Sequence, residues 1–201
     1  MKFRKIMKSR KWSAIIKICL VISCMICFFP VPTQAISAKN KKAHAAFEKQ
    51  LKKEKKRYCY RSDPYIEYAY CDLDKDKVDE MIVTTTVMAP HELIFRYNNG
   101  KVEKVASADQ GQFNTYYKKN KVLCSGYAHM GVCYDMYYKW DKSEYKLVAY
   151  KRIEGVGTND IHISYNVKKK NVSKKTYNNY IKKLKKGDKG RKFSNIKRKK
   201  Y

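Results

Sequence analysis

Five carboxylates lie within nine residues of a chain whose formal net charge is +28. They belong to the stretch "DLDKDKVDE" and are Asp72, Asp74, Asp76, Asp79 and Glu80. Calcium binds six to eight oxygen ligands, and alternate carboxylates on a turning loop point toward one centre. The first, third, fifth, seventh and ninth places of such a loop fall on Asp72, Asp74, Asp76, the carbonyl of Val78, and Glu80. The spacing predicts a calcium site, and the alternative is a charged turn that keeps two strands apart.

The sixth place of a calcium loop favours glycine, because the backbone there adopts a left-handed conformation. This chain has Lys77 at that place. A side chain in the left-handed region costs on the order of 1 kcal/mol. Val83 stands at the twelfth place, where a helix-loop-helix calcium site needs a bidentate glutamate, so the pattern excludes that type of site.

The order of strand, D-x-D-x-D-x-x-D-E loop and strand resembles the calcium loops of integrin-type FG-GAP repeats. The chain is also similar to exported proteins of unknown function from Gram-positive clostridia. These proteins pair such a loop with aromatic hairpins and a late helix, which here corresponds to Val172 to Ile181. The resemblance covers roughly Tyr65 to Lys186 and implies a weak extracellular calcium site.

Two helices are predicted on either side of a β-rich region. The first spans about residues 39–56, where Ala43, Phe47 and Leu51 recur every four residues in a segment of good helix formers. The second spans about residues 174–185, with Ser173 as its N-cap and Gly187 just beyond its end. Each helix presents one apolar stripe, so each is expected to dock on the rest of the domain.

Between the helices, about residues 65–168 alternate aromatic and polar residues in short runs separated by turns. Asn99-Gly100 is the strongest of the hairpin signals. The fold class predicted is therefore α+β, an antiparallel β-meander of propeller-blade-like hairpins flanked by the two helices. Residues 187–201 are expected to form a basic tail with one short strand at about Phe193 to Ile196.

Residues 1–35 have the pattern of a secretory signal peptide. Six basic residues precede Lys17 and an apolar run from Ile18 to Phe29, and Thr33-Gln34-Ala35 supplies a cleavage site of small residues. The expected mature chain is one extracellular domain, residues 36–201, that is secreted or held at the cell surface. Two alternatives are a lipid anchor on Cys24 and an uncleaved membrane anchor.

Four cysteines remain after the signal: Cys59, Cys71, Cys124 and Cys133. An even number in an exported chain indicates two disulfides, and the spacing favours the local pairs Cys59 with Cys71 and Cys124 with Cys133. A zinc site is the alternative, although neither pair has the short spacing that structural zinc prefers.

The chain has 46 lysines and arginines against 18 acidic residues. Outside the cell, such a surface favours anionic cell-wall polymers or glycans over a specific nucleic acid, by salt-sensitive attraction. No phosphate loop, nucleophile elbow or H-E-x-x-H helix is present. The function expected is an exported, cationic, non-enzymatic surface-associated binding protein. The alternative is a small extracellular hydrolase acting on glycans, with Asp135, Glu92 or His129 in a cleft.

Overall fold

The structure is a computed structural model that describes residues 37–59, 65–85, 90–108 and 111–201. The predicted signal peptide, residues 1–35, lies outside the described residues. No helix in the described ranges is both long enough and apolar enough to cross a membrane.

Two antiparallel sheets form the centre of the fold. The first sheet has the order β12-β1-β2-β3-β4, where the strands are β1 (Ile66–Cys71), β2 (Glu80–Thr85), β3 (Glu92–Asn98), β4 (Lys101–Ala108) and β12 (Lys199–Lys200). The second has the order β10-β9-β8-β7-β6-β5-β11, where they are β5 (Gln112–Tyr117), β6 (Val122–His129), β7 (Val132–Asp141), β8 (Glu144–Glu154), β9 (His162–Val167), β10 (Lys170–Asn171) and β11 (Arg191–Lys192). Sequential strands are neighbours in both sheets, so the predicted α+β meander is confirmed.

Each helix packs on the outer face of one sheet. Helix α1 (Ala38–Tyr58) buries Ala43, Phe47 and Leu51 against the first sheet. Helix α2 (Lys174–Lys185) buries Tyr177, Ile181 and Leu184 against the second, and the Ser173 hydroxyl accepts a hydrogen bond from the Thr176 N–H at 3.2 Å. A third apolar cluster, which includes Ile82, Ile94, Phe113 and Leu123, fills the space between the sheets. The layers are therefore helix, sheet, sheet and helix.

The C-terminal tail is part of both sheets. Strand β11 pairs with β5 and strand β12 pairs with β1, and a 3-10 turn, Phe193–Asn195, joins the two pairings. The single strand expected at Phe193 to Ile196 is therefore wrong, because this segment turns between the sheets and buries Phe193 in the inter-sheet core. The tail closes one edge of each sheet.

The four cysteines are thiols in the structure, so the expectation of two local disulfides is not met. Cys124 lies opposite Tyr137, and Cys133 lies opposite Ala128. Cys133 is therefore four residues away from the position opposite Cys124. Four residues of strand span about 13 Å, which is beyond the reach of a disulfide. Cys71 packs into the inter-sheet cluster, whereas Cys59 packs into the cluster under α1, on the opposite face of the first sheet.

An ion pair between the sheets holds the tail in place. Glu92 on β3 is fully buried and accepts hydrogen bonds from the Thr84 hydroxyl at 3.0 Å and the Phe113 N–H at 2.7 Å. The guanidinium of Arg198 donates to the same carboxylate, just before β12. Burial raises the pKa of Glu92, and the charge of Arg198 opposes that rise. One buried carboxylate thus connects strands β2 and β3 to the start of β5 and to the tail.

We expect Arg198→Met to lower the free energy of unfolding by about 3 kcal/mol, because it leaves the Glu92 charge buried without its cation. Urea unfolding at pH 7 measures the loss. Part of it should be recovered in mildly acidic buffer, where Glu92 takes up a proton more readily in the folded variant than in the unfolded chain. Lys197→Met is the matched control, since Lys197 is exposed. Equal stability of the two variants would show that the pair does not hold the tail.

Candidate metal centre

The acidic loop, residues 72–79, connects β1 to β2, and its length follows from the pairing of Cys71 with Glu80. Three aspartates fold it by accepting hydrogen bonds from nearby backbone N–H groups. Asp72 accepts from Lys75 at 2.7 Å, Asp74 from Asp76 at 3.1 Å, and Asp76 from Val78 at 2.8 Å. Such bonds from aspartate to a backbone two or three residues on are a common way to form a turn. These three hydrogen bonds therefore define the path of the loop.

The backbone at Lys77 has φ of +69°, so the left-handed conformation expected at the sixth place is confirmed. Lys75 has the same φ of +69°. The loop thus has the turn that a calcium loop requires, although lysine occupies the place where glycine is less strained.

Three carboxylates converge inside this loop. One oxygen each from Asp72, Asp74 and Glu80 lies within 4.8 Å of the other two. Oxygens bound to one calcium ion at 2.3–2.6 Å are separated by at most about 5 Å, so this spacing suits a single ion. The cluster could hold a metal ion. Asp76 is outside it, and the side chain of Val78 packs into the core under α1.

Glu80 is the most deeply buried member of the cluster, with an exposed fraction of 1%. Its Oε2 accepts a hydrogen bond from the Leu73 N–H at 2.7 Å, whereas its Oε1 is buried without a hydrogen-bond partner. Burial, together with the charges of Asp74, Asp76 and Asp72, raises the pKa of Glu80 to about 8, although the hydrogen bond from the Leu73 N–H opposes the rise. A carboxylate in this position requires either a proton or a cation.

Two lysines from the second sheet partly balance the loop. Lys118 Nζ lies 2.8 Å from Asp72 Oδ2, and Lys121 Nζ lies 3.7 Å from Asp74 Oδ2. Burial nevertheless raises the pKa of Asp74, as does the charge of Asp76. No ion pair of this kind reaches Glu80 among the described residues.

Helix α1 fixes the outer end of the loop. Asn40 Oδ1 accepts from the Asp79 N–H at 2.8 Å, and His44 Nε2 lies 3.0 Å from Asp79 Oδ2. The His44 ring stacks on Tyr70, with 3.9 Å between the ring centroids. Asp79, the fourth of the five carboxylates, therefore anchors the helix and takes no part in the cluster.

The three residues considered for a hydrolase do not come together. Glu92 is buried between the two sheets. Asp135 lies on the other side of the second sheet, beside α2, where its carboxylate is 2.5 Å from Lys151 Nζ. His129 ends strand β6 and stacks on Tyr127. No groove in the described part of the chain brings two of these groups to a common substrate.

Sequence patterns identified Asp72, Asp74 and Glu80 but missed the residues that surround them. Lys118 and Lys121 are more than 40 residues away along the chain and belong to the turn between β5 and β6. His44 and Asn40 belong to the predicted helix, where they had no distinguishing signal. Only the packing of the two sheets and of α1 brings these groups to the loop.

Comparison of the chain with protein-family models, with curated proteins and with solved structures gives no match. The site is therefore interpreted from its own geometry.

In the metal-free protein, the raised pKa of Glu80 makes stability depend on pH. The proton on Glu80 favours the folded state between the ordinary glutamate pKa and about 8, so the stability that it provides is lost as pH rises through that range. The slope is at most about 1.4 kcal/mol per pH unit.

We expect Glu80→Gln to remove this dependence, because the amide stays neutral at every pH. Urea unfolding of wild type and variant in chelator, from pH 5 to 9, measures the difference between them. Glu144→Gln, at an exposed position on β8, is the control. A constant difference between wild type and Glu80→Gln across the range would contradict the raised pKa.

Proposed function

We propose that this protein is an exported, cationic, non-enzymatic binding protein of the cell surface, whose fold is stabilised by a calcium ion in the acidic loop. The observation that carries the proposal is the buried Glu80 carboxylate, which has one oxygen without a hydrogen-bond partner beside Asp72 and Asp74. An ion bound there would pair with that oxygen and remove the cost of a buried unpaired charge.

The donor set favours a hard cation. All three converging ligands are carboxylates, and neither cysteine nor histidine joins the cluster. Calcium and magnesium prefer oxygen ligands, whereas zinc and copper favour nitrogen and sulfur. Calcium tolerates an irregular set of six to eight oxygens, and magnesium requires a near-octahedral one. A calcium ion needs more oxygens than these three, and the loop pattern makes the side chain of Asp76 and the carbonyl of Val78 the candidates for them.

The surface of the protein supports the binding role. Without the expected signal peptide, residues 36–201 have 39 basic and 18 acidic residues and a net charge of +21, and lysines crowd both helices and most turns. Cationic surfaces attract polyanions at long range, and this attraction weakens as salt rises. Anionic cell-wall polymers and glycans are the polyanions available to an exported protein.

Thermal unfolding with and without calcium tests the metal proposal. For a dissociation constant of about 0.1–1 mM, about 5 mM calcium stabilises the folded state by about 1–2 kcal/mol. For a domain of this size, that raises the unfolding midpoint by about 2–8 °C. Sodium chloride at matched ionic strength separates ion binding from screening, and magnesium tests selectivity.

Glu80→Gln should abolish the calcium shift, while Asp160→Asn, at an exposed carboxylate outside the loop, should keep it. Calcium that stabilises Glu80→Gln as much as wild type would place the ion elsewhere. No calcium shift in wild type beyond that of sodium chloride would overturn the metal proposal.

A further inference from the structure

Three lysine-bearing turns lie at one end of the strands of the second sheet. Because neighbouring strands run in opposite directions, the β5–β6, β7–β8 and β9–β10 turns share that end. Their backbones place four lysines at positive φ: Lys121 at 51°, Lys142 at 57°, Lys168 at 49° and Lys169 at 66°. Asparagine and glycine adopt this conformation more readily, so the turns carry positive charge at the expense of backbone strain.

A groove runs between this end of the second sheet and α2. Its volume is about 850 Å³, within the range of ligand sites in proteins. Five lysines and one carboxylate line it: Lys139, Lys146, Lys168, Lys169, Lys183 and Asp141. The groove therefore has a strong excess of positive charge.

Most of that charge has no acidic counterpart among the described residues. Lys146 pairs with Asp141 at 2.9 Å. The other four lysines make no ion pair with any described residue. Concave surfaces lined by one sign of charge concentrate ligands of the opposite sign. The ligand that fits this groove is anionic.

The apolar residues that line the groove indicate which kind of anionic ligand fits it. Leu147, which is 44% exposed, and Tyr180 contribute to the lining. Trp140 also borders the groove, but its ring packs on the inter-sheet cluster, with the guanidinium of Arg96 5.0 Å from its centroid and the Tyr145 ring beside it. A bare phosphate or sulfate would leave Leu147 and Tyr180 unused, whereas the C–H groups of a saccharide pack on such side chains.

We propose that this groove binds an anionic saccharide chain, one that carries sulfate, phosphate or carboxylate groups. The lysines pair with the anionic groups, and Leu147 and Tyr180 contact the sugar rings. The inference rests on the proposed binding of anionic polymers and assigns that binding to one face of the second sheet.

Calorimetry measures binding to the groove. A size-defined heparin hexasaccharide is the anionic probe, and maltohexaose is the neutral one. Titration with heparin should give saturable binding, and maltohexaose should not bind.

The triple variant Lys168→Asn, Lys169→Asn and Lys183→Gln removes three charges from the groove. Asparagine is tolerated at positive φ, so this variant should unfold at the wild-type temperature or above it. We expect its affinity for heparin, measured by calorimetry, to fall at least tenfold. The matched control removes three exposed charges from α1, on the far side of the first sheet, with Lys41→Gln, Lys52→Gln and Lys56→Gln. Its affinity should fall less than threefold.

The outcomes separate this inference from the proposed function. Equal losses of heparin affinity in the two triple variants would show that binding depends on overall charge. That result would keep the proposed function and overturn the assignment of binding to the groove. No heparin binding by the wild type would overturn both. Binding of single-stranded DNA of matched charge as tightly as heparin, with the same loss in the groove variant, would overturn the saccharide assignment in favour of a nucleic acid.

Discussion

Two glutamates on the inner face of the first sheet, Glu80 and Glu92, impose the main electrostatic constraint on this fold. Both are buried where the two sheets pack together, and burial raises the pKa of each. A buried carboxylate is tolerated only when it is hydrogen-bonded and neutralised. Glu92 is neutralised by Arg198 and accepts hydrogen bonds from a hydroxyl and a backbone N–H. For Glu80 the chain supplies one backbone N–H and leaves one oxygen without a partner.

The difference between Glu92 and Glu80 favours a role for the acidic loop that its composition alone does not indicate. Lys118 and Lys121 balance Asp72 and Asp74 from the second sheet. A cation bound by the same carboxylates competes with these lysines, since both interact with the same negative charges. The turn that carries them also supplies Asn120 to the lysine-lined groove.

Local sequence signals predicted the parts of the fold that depend on neighbouring residues. The stripe of Ala43, Phe47 and Leu51, the Ser173 cap and the Asn99-Gly100 turn each correspond to a feature of the structure. The loop order likewise predicted Asp72, Asp74 and Glu80, and glycine's place predicted the left-handed backbone of Lys77.

What the sequence did not predict depends on register and on long-range packing. The disulfide expectation assumed that Cys124 and Cys133 lie across a hairpin, but the turn forms at Met130 and Gly131 and leaves them four residues out of register. The tail looked like a solvated basic segment, because its apolar residues are few. Arg198 is partly buried there because it pairs with Glu92, which lies 106 residues earlier in the chain. No local sequence pattern around Glu92 or Arg198 predicts that the two residues pair.

The hydrogen bonds within the loop do not by themselves distinguish a metal site from a charged turn. Asp72, Asp74 and Asp76 would each fold the loop through backbone N–H groups whether or not an ion is bound. Replacing one of them with alanine removes a loop hydrogen bond together with a ligand, so a loss of stability has two explanations. Glu80 lies outside the turn, at the start of β2. One of its oxygens accepts from the Leu73 N–H of the loop, and the amide oxygen of glutamine can keep that bond, whereas its other oxygen has no hydrogen-bond partner. Glu80 is therefore the residue at which the presence of an ion can be separated from the shape of the loop.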